Sequence, residues 1–142
     1  MFAIQLQLTA SPVLTKKSTS PSGEKLAISS ARIADEQRAE DVIVLDLRGK
    51  SSIADYFVIC SANSTPHLRA LRRHLLGRIK EEHNVDAYHK DGGVDSQWVV
   101  VDFVDVIVHV FHHEKREFYA LEELWADAPR VEWQEETTDA AE

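Results

Sequence analysis

Residues 98–111 read W-V-V-V-D-F-V-D-V-I-V-H-V-F, and how this stretch pairs with itself decides the fold. Two β-branched runs, 98–103 and 106–111, flank Val104-Asp105, and such residues favour strands over helices. With Val104-Asp105 as the tip of a hairpin, Phe103 lies opposite Val106, Val101 opposite Val108 and Trp98 opposite Phe111. Alternation along each strand then sorts the side chains into two faces. One carries Val99, Val101, Phe103, Val106, Val108 and Val110 and reads as core. The other mixes Trp98, Val100, Ile107 and Phe111 with Asp102 and His109, and function is to be sought there. The tip is unusual. A two-residue turn of the favoured kind needs positive φ, which suits Gly, Asn or Asp and not Val104. Either the loop is longer or Val104 is strained, and a slip of one residue exchanges the faces.

Outward from the hairpin, residues 85–89 read as a short edge strand followed by the loop Asp91-Gly92-Gly93. Before them, Ser64 or Thr65 is an N-cap candidate, with Pro66 in the first turn, where its missing N–H costs nothing. The helix so opened carries Leu68, Leu71, Leu75 and Ile79 on one stripe and Arg69, Arg72, Arg73, Arg78 and Lys80 on much of the rest, fading at 82–84. Residues 41–47 and 55–62 read as strands joined by a turn at 48–52. A first helix is expected over 24–39, with Leu26, Ala27, Ser30, Ile33, Ala34 and Gln37 on one face. A last helix is expected over 113–126, with Glu114 and Glu117 at the positive end of its dipole and Phe118, Leu121, Leu124 and Trp125 as its buried stripe. The order helix, strand, strand, helix, three strands, helix implies an α/β domain, a mixed sheet with helices packed on it.

The 142 residues suffice for one domain with a core of its own. Cys60 is the single cysteine, so a disulfide framework is excluded and a multi-cysteine zinc site is not expected; its apolar surroundings predict an inert, buried thiol. No run approaches the roughly 20 apolar residues of a membrane span. Residues 1–23 are expected to be a disordered leader, 24–128 the domain, and 129–142 a disordered acidic tail. The leader lacks the charged and apolar regions of a secretory signal. Its Ser/Thr content faintly suggests an organelle address, but it has no arginine, so the cytoplasm is the expected location, with plastid or mitochondrion as the alternative. The net charge of −8 disfavours phosphate binding by the body as a whole. It points to a basic protein as partner, with no sequence-specific nucleic-acid contact and no membrane.

Three constellations invite a catalytic reading. His109, His112 and His113 lack the converging spacing and ligand count of a metal site, and no cofactor is implied. Asp46, Asp55, Asp102 and Asp105 suggest two-metal nucleotidyl transfer, but no glycine-rich phosphate cradle accompanies them. Ser61, Ser64 or Cys60 with His67 as base has no third orienting group, and the cap role accounts for Ser64. What is left is the mixed hairpin face. It is either core beneath another element or a binding surface of aromatic anchors and polar groups.

Three motifs in order carry a resemblance: D-x-R-G-K-S-S-I-A-D-Y-F-V-I-C at 46–60, the 98–111 stretch, and R-E-F-Y-A-L-E-E-L-W at 116–125. Residues 26–126 resemble the ribosomal silencing factor family, also called the Iojap family. The chain departs from its pattern at Val104, where glycine is frequent, and at Ser61-Ala62-Asn63-Ser64, where Thr-Gly-Thr-Ser is common. The resemblance implies a nucleotidyltransferase-like topology without the catalytic acids, and a protein that is not an enzyme. It also implies binding to the large ribosomal subunit through its protein fourteen, obstruction of small-subunit joining, and translation repressed when nutrients are scarce, often by a homodimer. Carried onto this sequence, it places partner contacts at Trp98 and Asp102, with Asp105 and His109 near them. Arg116, Tyr119 and Glu122 either extend that surface or brace the last helix.

Overall fold

The computed structural model describes residues 21–91 and 97–134. Helix α1 (Pro21–Glu36) leads into strands β1 (Glu40–Asp46) and β2 (Tyr56–Ala62), then helix α2 (Thr65–His83). Strands β3 (His89–Asp91), β4 (Trp98–Asp102) and β5 (Val106–His112) follow, and helices α3 (His113–Tyr119) and α4 (Leu121–Leu124) close the order. The five strands form one sheet in the order β1-β2-β5-β4-β3. Only β2 and β5 run parallel; the other neighbours are antiparallel. The sheet is therefore mixed, and the α/β class is that expected.

The hairpin register is the one alternation demands: Trp98 pairs with Phe111, Val101 with Val108 and Asp102 with Ile107. At its tip Val104 has φ 78°. The Asp105 N–H donates to the Phe103 carbonyl at 3.0 Å, closing a three-residue turn on a conformation that a β-branched side chain rarely adopts. Asp102 supports it, its Oδ1 accepting from the Val104 N–H at 2.7 Å. The hairpin loop between Phe103 and Val106 is thus two residues long, as drawn from the sequence, and its strained position is Val104.

The ends of α2 follow from its sequence. Ser64 is extended, and its Oγ accepts from the His67 N–H at 3.1 Å, while Pro66 occupies the first turn. Asn84 ends the helix in the left-handed conformation, donating its N–H to the Lys80 carbonyl at 2.9 Å. Leu68, Leu71, Leu75 and Ile79 are fully buried beneath it. With α1 they seal one side of the sheet, against Val58, Cys60, Val99, Val101, Val108 and Val110. The opposite side holds a smaller cluster, Leu45, Leu47, Phe57, Ile59, Ile107, Phe111 and Ala128, edged by half-buried Trp98, Val100, Leu121 and Trp125.

Four expectations need correction. Helix α1 begins at Pro21, inside the stretch assigned to the leader; residues 1–20 lie outside the described residues. The edge strand is His89–Asp91 rather than 85–89, because Tyr88 is first to reach β4, donating its N–H to the Asp102 carbonyl at 2.7 Å. The loop at 92–93 also lies outside the described residues.

The last helix is two helices. Ala120 is left-handed, with φ 47°, which ends α3 and turns Phe118 and Leu124 outward, each 73% exposed. The expected four-residue stripe reduces to half-buried Leu121 and Trp125. Nor is the segment after 128 a loose tail where it is described. Pro129 accepts from the Asp46 N–H and Val131 donates to the Val44 carbonyl, each at 2.9 Å, so the chain runs along the outer edge of β1. There the Trp133 indole donates to the Val42 carbonyl at 3.1 Å, and the Trp133 carbonyl accepts from Arg32 Nε at 2.8 Å. The acidic residues from 135 onward lie outside the described residues.

Candidate partner-binding face

Strands β4 and β5 direct Trp98, Val100, Ile107, His109 and Phe111 to the side that α3 and α4 cover incompletely. Trp98 stacks on Phe111 at 4.9 Å between ring centroids and leans on Tyr119 at 4.7 Å. Tyr119 in turn meets Phe118 edge-on at 5.1 Å. A continuous row of rings thus runs from the buried pair Phe57–His109, 4.5 Å apart, through half-buried Trp98 to Phe118 in solvent. Offset and edge-on contacts of this kind add to simple burial and hold the rings in place.

His109 is 7% exposed and does not offer itself to a partner, contrary to the place given to it above. Its Nδ1 accepts from the Trp98 indole N–H at 3.2 Å, so the ring proton sits on Nε2. Burial pushes its pKa down to about 4; the imidazole is neutral and serves to orient Trp98. Nε2 has no hydrogen-bond partner among the described residues.

Arg116 is also buried, at 9% exposure. Its guanidinium donates to the Asp41 carbonyl at 2.6 Å, to Ser61 Oγ at 2.9 Å and to Glu122 at 3.1 Å. One side chain ties α3 and α4 to the adjoining ends of β1 and β2. Of the two roles left open for Arg116 and Glu122, the geometry is that of a brace. Around this brace lies a cavity of about 250 Å³, lined in part by Asp41, Glu117, Glu122 and Glu123.

Asp102 sits at the other end of the hairpin, four residues along β4 from Trp98, or about 13 Å, and Asp105 lies beyond it in the tip. Asp102 is turned onto the tip, and the Asp105 carbonyl accepts from the N–H groups of Asp55 and Tyr56 at 2.9 and 3.1 Å. The structure therefore brings together Trp98 and Tyr119, with His109 against Trp98, and leaves the two acids apart from them. Phe57, which sequence reasoning did not single out for this face, completes it; its alternation with Val58 along β2 was the available signal.

Several of the residues that invited catalysis have structural employment. Asp46 is held by Arg48 through bonds of 2.8 and 3.0 Å, which keep its carboxyl below the usual range. Among the described residues no three His, Cys, Asp or Glu side chains converge on a metal position. His67 is engaged at both nitrogens, Nδ1 accepting from the Asn63 N–H at 3.0 Å and Nε2–H donating to the Gln37 carbonyl at 2.7 Å. Ser61 is bound to Arg116 and Ser64 caps α2. Cys60 is fully buried, and burial pushes its thiol up to about 12. His112 caps α3, its Nδ1 accepting from the Glu114 N–H at 3.2 Å.

The fold has counterparts among known proteins. A family model described as "Ribosomal silencing factor during starvation" matches residues 19–142. A Bacillus subtilis protein named ribosomal silencing factor is 42% identical over 100 residues, covering 70% of this chain and 84% of that protein. Maize chloroplastic Iojap is 31% identical over 106 residues, 75% of this chain and 46% of the maize protein. A crystal structure from Bacillus halodurans superposes with a TM-score of 0.63 at 34% identity, covering 80% of this chain and 99% of that one. These findings define the protein as an α/β domain of a translation-associated class. The chain belongs to the ribosomal silencing factor, or Iojap, family.

Proposed function

We propose that this protein binds the large ribosomal subunit through ribosomal protein fourteen, with the Trp98–Tyr119 face as the contact. Bound there, it obstructs the small subunit and lowers translation when nutrients are short. Family membership supplies the setting, and the observation that carries the surface is the half-buried ring row ending in exposed Phe118. Its aromatic composition matches that of residues that dominate protein interfaces. The acidic charge of the chain suits a basic ribosomal protein and steers encounter. Asp102 and Asp105 form the distal rim of the contact, and Arg116 and Glu122 hold α3 and α4 in position behind it.

The mechanism is occupation without turnover, so the protein is not an enzyme and neither nucleotide nor metal is needed. It works in the cytoplasm and self-associates as a homodimer. The test is co-sedimentation with isolated large subunits, comparing wild type with Trp98→Ala. The wild type pellets with large subunits and depresses the joined-ribosome fraction; Trp98→Ala weakens binding by more than about 1 kcal/mol, or over fivefold. A folded Trp98→Ala chain with unchanged affinity removes this face from the proposal.

A further inference from the structure

Helix α2 carries a feature that neither the fold nor the aromatic face uses. From residue 65 to residue 80 it has five basic residues and no acidic one, in a chain of net charge −8. Arg78 and Lys80 are committed: Arg78 bonds Glu36 and Glu82 at 2.9 and 2.6 Å, and Lys80 bonds Asp86 at 3.1 Å. Arg69, Arg72 and Arg73 close no ion pair among the described residues. Arg69 and Arg73 are exposed, one helical turn apart, and Arg72 stands half-buried beside them.

Gly77 lies on the same outward side. A Cβ there would meet nothing within 4 Å, and its φ is not positive, so neither packing nor backbone geometry requires glycine. A mid-helix glycine lowers helix stability relative to alanine. What it leaves is an open depression of about 460 Å³ bordered by Arg73, His74, Arg78, Lys80 and Glu81, of which Arg73 is the cation not already ion-paired among the described residues. Unspent guanidinium groups beside a side-chain-free notch suit a polyanion whose backbone must approach closely. Arginine is also the residue best shaped to grip phosphate oxygens in pairs.

We propose that the outward face of α2, through Arg69, Arg72 and Arg73 beside the Gly77 notch, binds an RNA phosphate backbone without regard to sequence. The inference deepens the reading above, on which it rests for its setting: a protein docked on the large subunit by its aromatic side has RNA within reach of another side. The acidity of the rest of the chain weakens this attraction at any salt concentration, but two acids near the patch, Glu36 and Glu82, are already paired with Arg78, and more distant ones are increasingly screened as salt rises.

The experiment is fluorescence anisotropy of the full chain with a labelled RNA hairpin and with a scrambled-sequence counterpart. Three phosphate contacts predict equal affinity for the two RNAs, falling roughly 20- to 40-fold between about 50 and 200 mM salt. The triple variant Arg69→Gln/Arg72→Gln/Arg73→Gln loses at least tenfold at low salt and flattens the salt dependence. The triple Arg→Lys variant keeps the charges and hence the salt dependence, but loses the paired grip and binds a few-fold more weakly than wild type, well above the Gln triple. Circular dichroism melts identify the folded variants, and all three arginines lie outside the core. Trp98→Ala, run on the same naked RNA, separates the two readings: it binds like wild type whether or not large-subunit docking depends on Trp98. The proposal is overturned if wild type fails to bind at low salt, if the Gln triple binds as wild type does, or if Trp98→Ala loses as much as the triple. It is equally overturned if vesicles of equal phosphatidylcholine and phosphatidylserine bind more tightly than RNA, which would assign the face to a membrane surface.

Discussion

The two sides of the sheet are built on different terms. On the α1/α2 side the four apolar residues of α2 are fully buried, and the cluster is closed by two helices of 16 and 19 residues. On the other side the cover is α3, of seven residues, and α4, of four, joined at left-handed Ala120. One side spends its apolar residues on stability. The other leaves Phe118 and Leu124 in solvent and Trp98 half open. A short, broken cover is what a recognition surface on a stable domain requires, since a continuous amphipathic helix would have buried the aromatic row.

The sharpest way to break this contrast is to truncate one leucine on each side. Leu75→Ala should cost about 3 kcal/mol or more, as full burial and an unfilled cavity dictate, whereas Leu124→Ala should stay within about 0.5 kcal/mol of wild type. Urea denaturation of both variants reads the difference. Equal losses would mean that the second side is as closed as the first.

His109 gives a comparable effect through pH. Its folded pKa, depressed to about 4, lies below the ordinary histidine value of 6.5. The unfolded chain therefore binds the proton first as pH falls, and the stability from keeping the ring neutral is present above 6.5. It is lost progressively between 6.5 and about 4, at up to roughly 1.4 kcal/mol per pH unit. Across that window the wild type should lose stability relative to His109→Phe as the pH falls, which denaturation midpoints of the two read directly. Parallel curves would show that burial does not hold the imidazole neutral. The smallest effect belongs to the tip. Val104→Gly relieves the positive φ and should stabilise the hairpin by about 1 kcal/mol after the entropy of glycine is counted. A destabilised variant would contradict the turn geometry.

Much of the fold was written in local pattern. The β-branched hairpin, its register and its core face follow from alternation alone, and Ser64-Thr65-Pro66 announced α2. The broken helix was not legible. R-E-F-Y-A-L-E-E-L-W keeps a helical period throughout, and no glycine marks the left-handed turn at Ala120. What breaks it is tertiary: Arg116 reaches to Ser61 and to the Asp41 carbonyl, and Glu122 folds back onto it. The segment at 129–134 was misread for a related reason. Its charge and proline describe a solvated tail, yet its backbone finds bonding groups on β1 that composition does not reveal. For the candidate face, Trp98 was legible from strand alternation, whereas Tyr119 came only from the family resemblance, and its contact with Trp98 needed coordinates. The burial of His109 and the separation of Asp102 from Trp98 needed coordinates.

The run of chain from 129 to 134 has an effect on what the protein avoids. By occupying the outer hydrogen-bonding groups of β1 at Val42, Val44 and Asp46, it denies that rim to a strand from any neighbouring molecule. A chain shortened to residue 128 would expose a template for edge-to-edge polymerisation, so these last described residues guard solubility as well as shape.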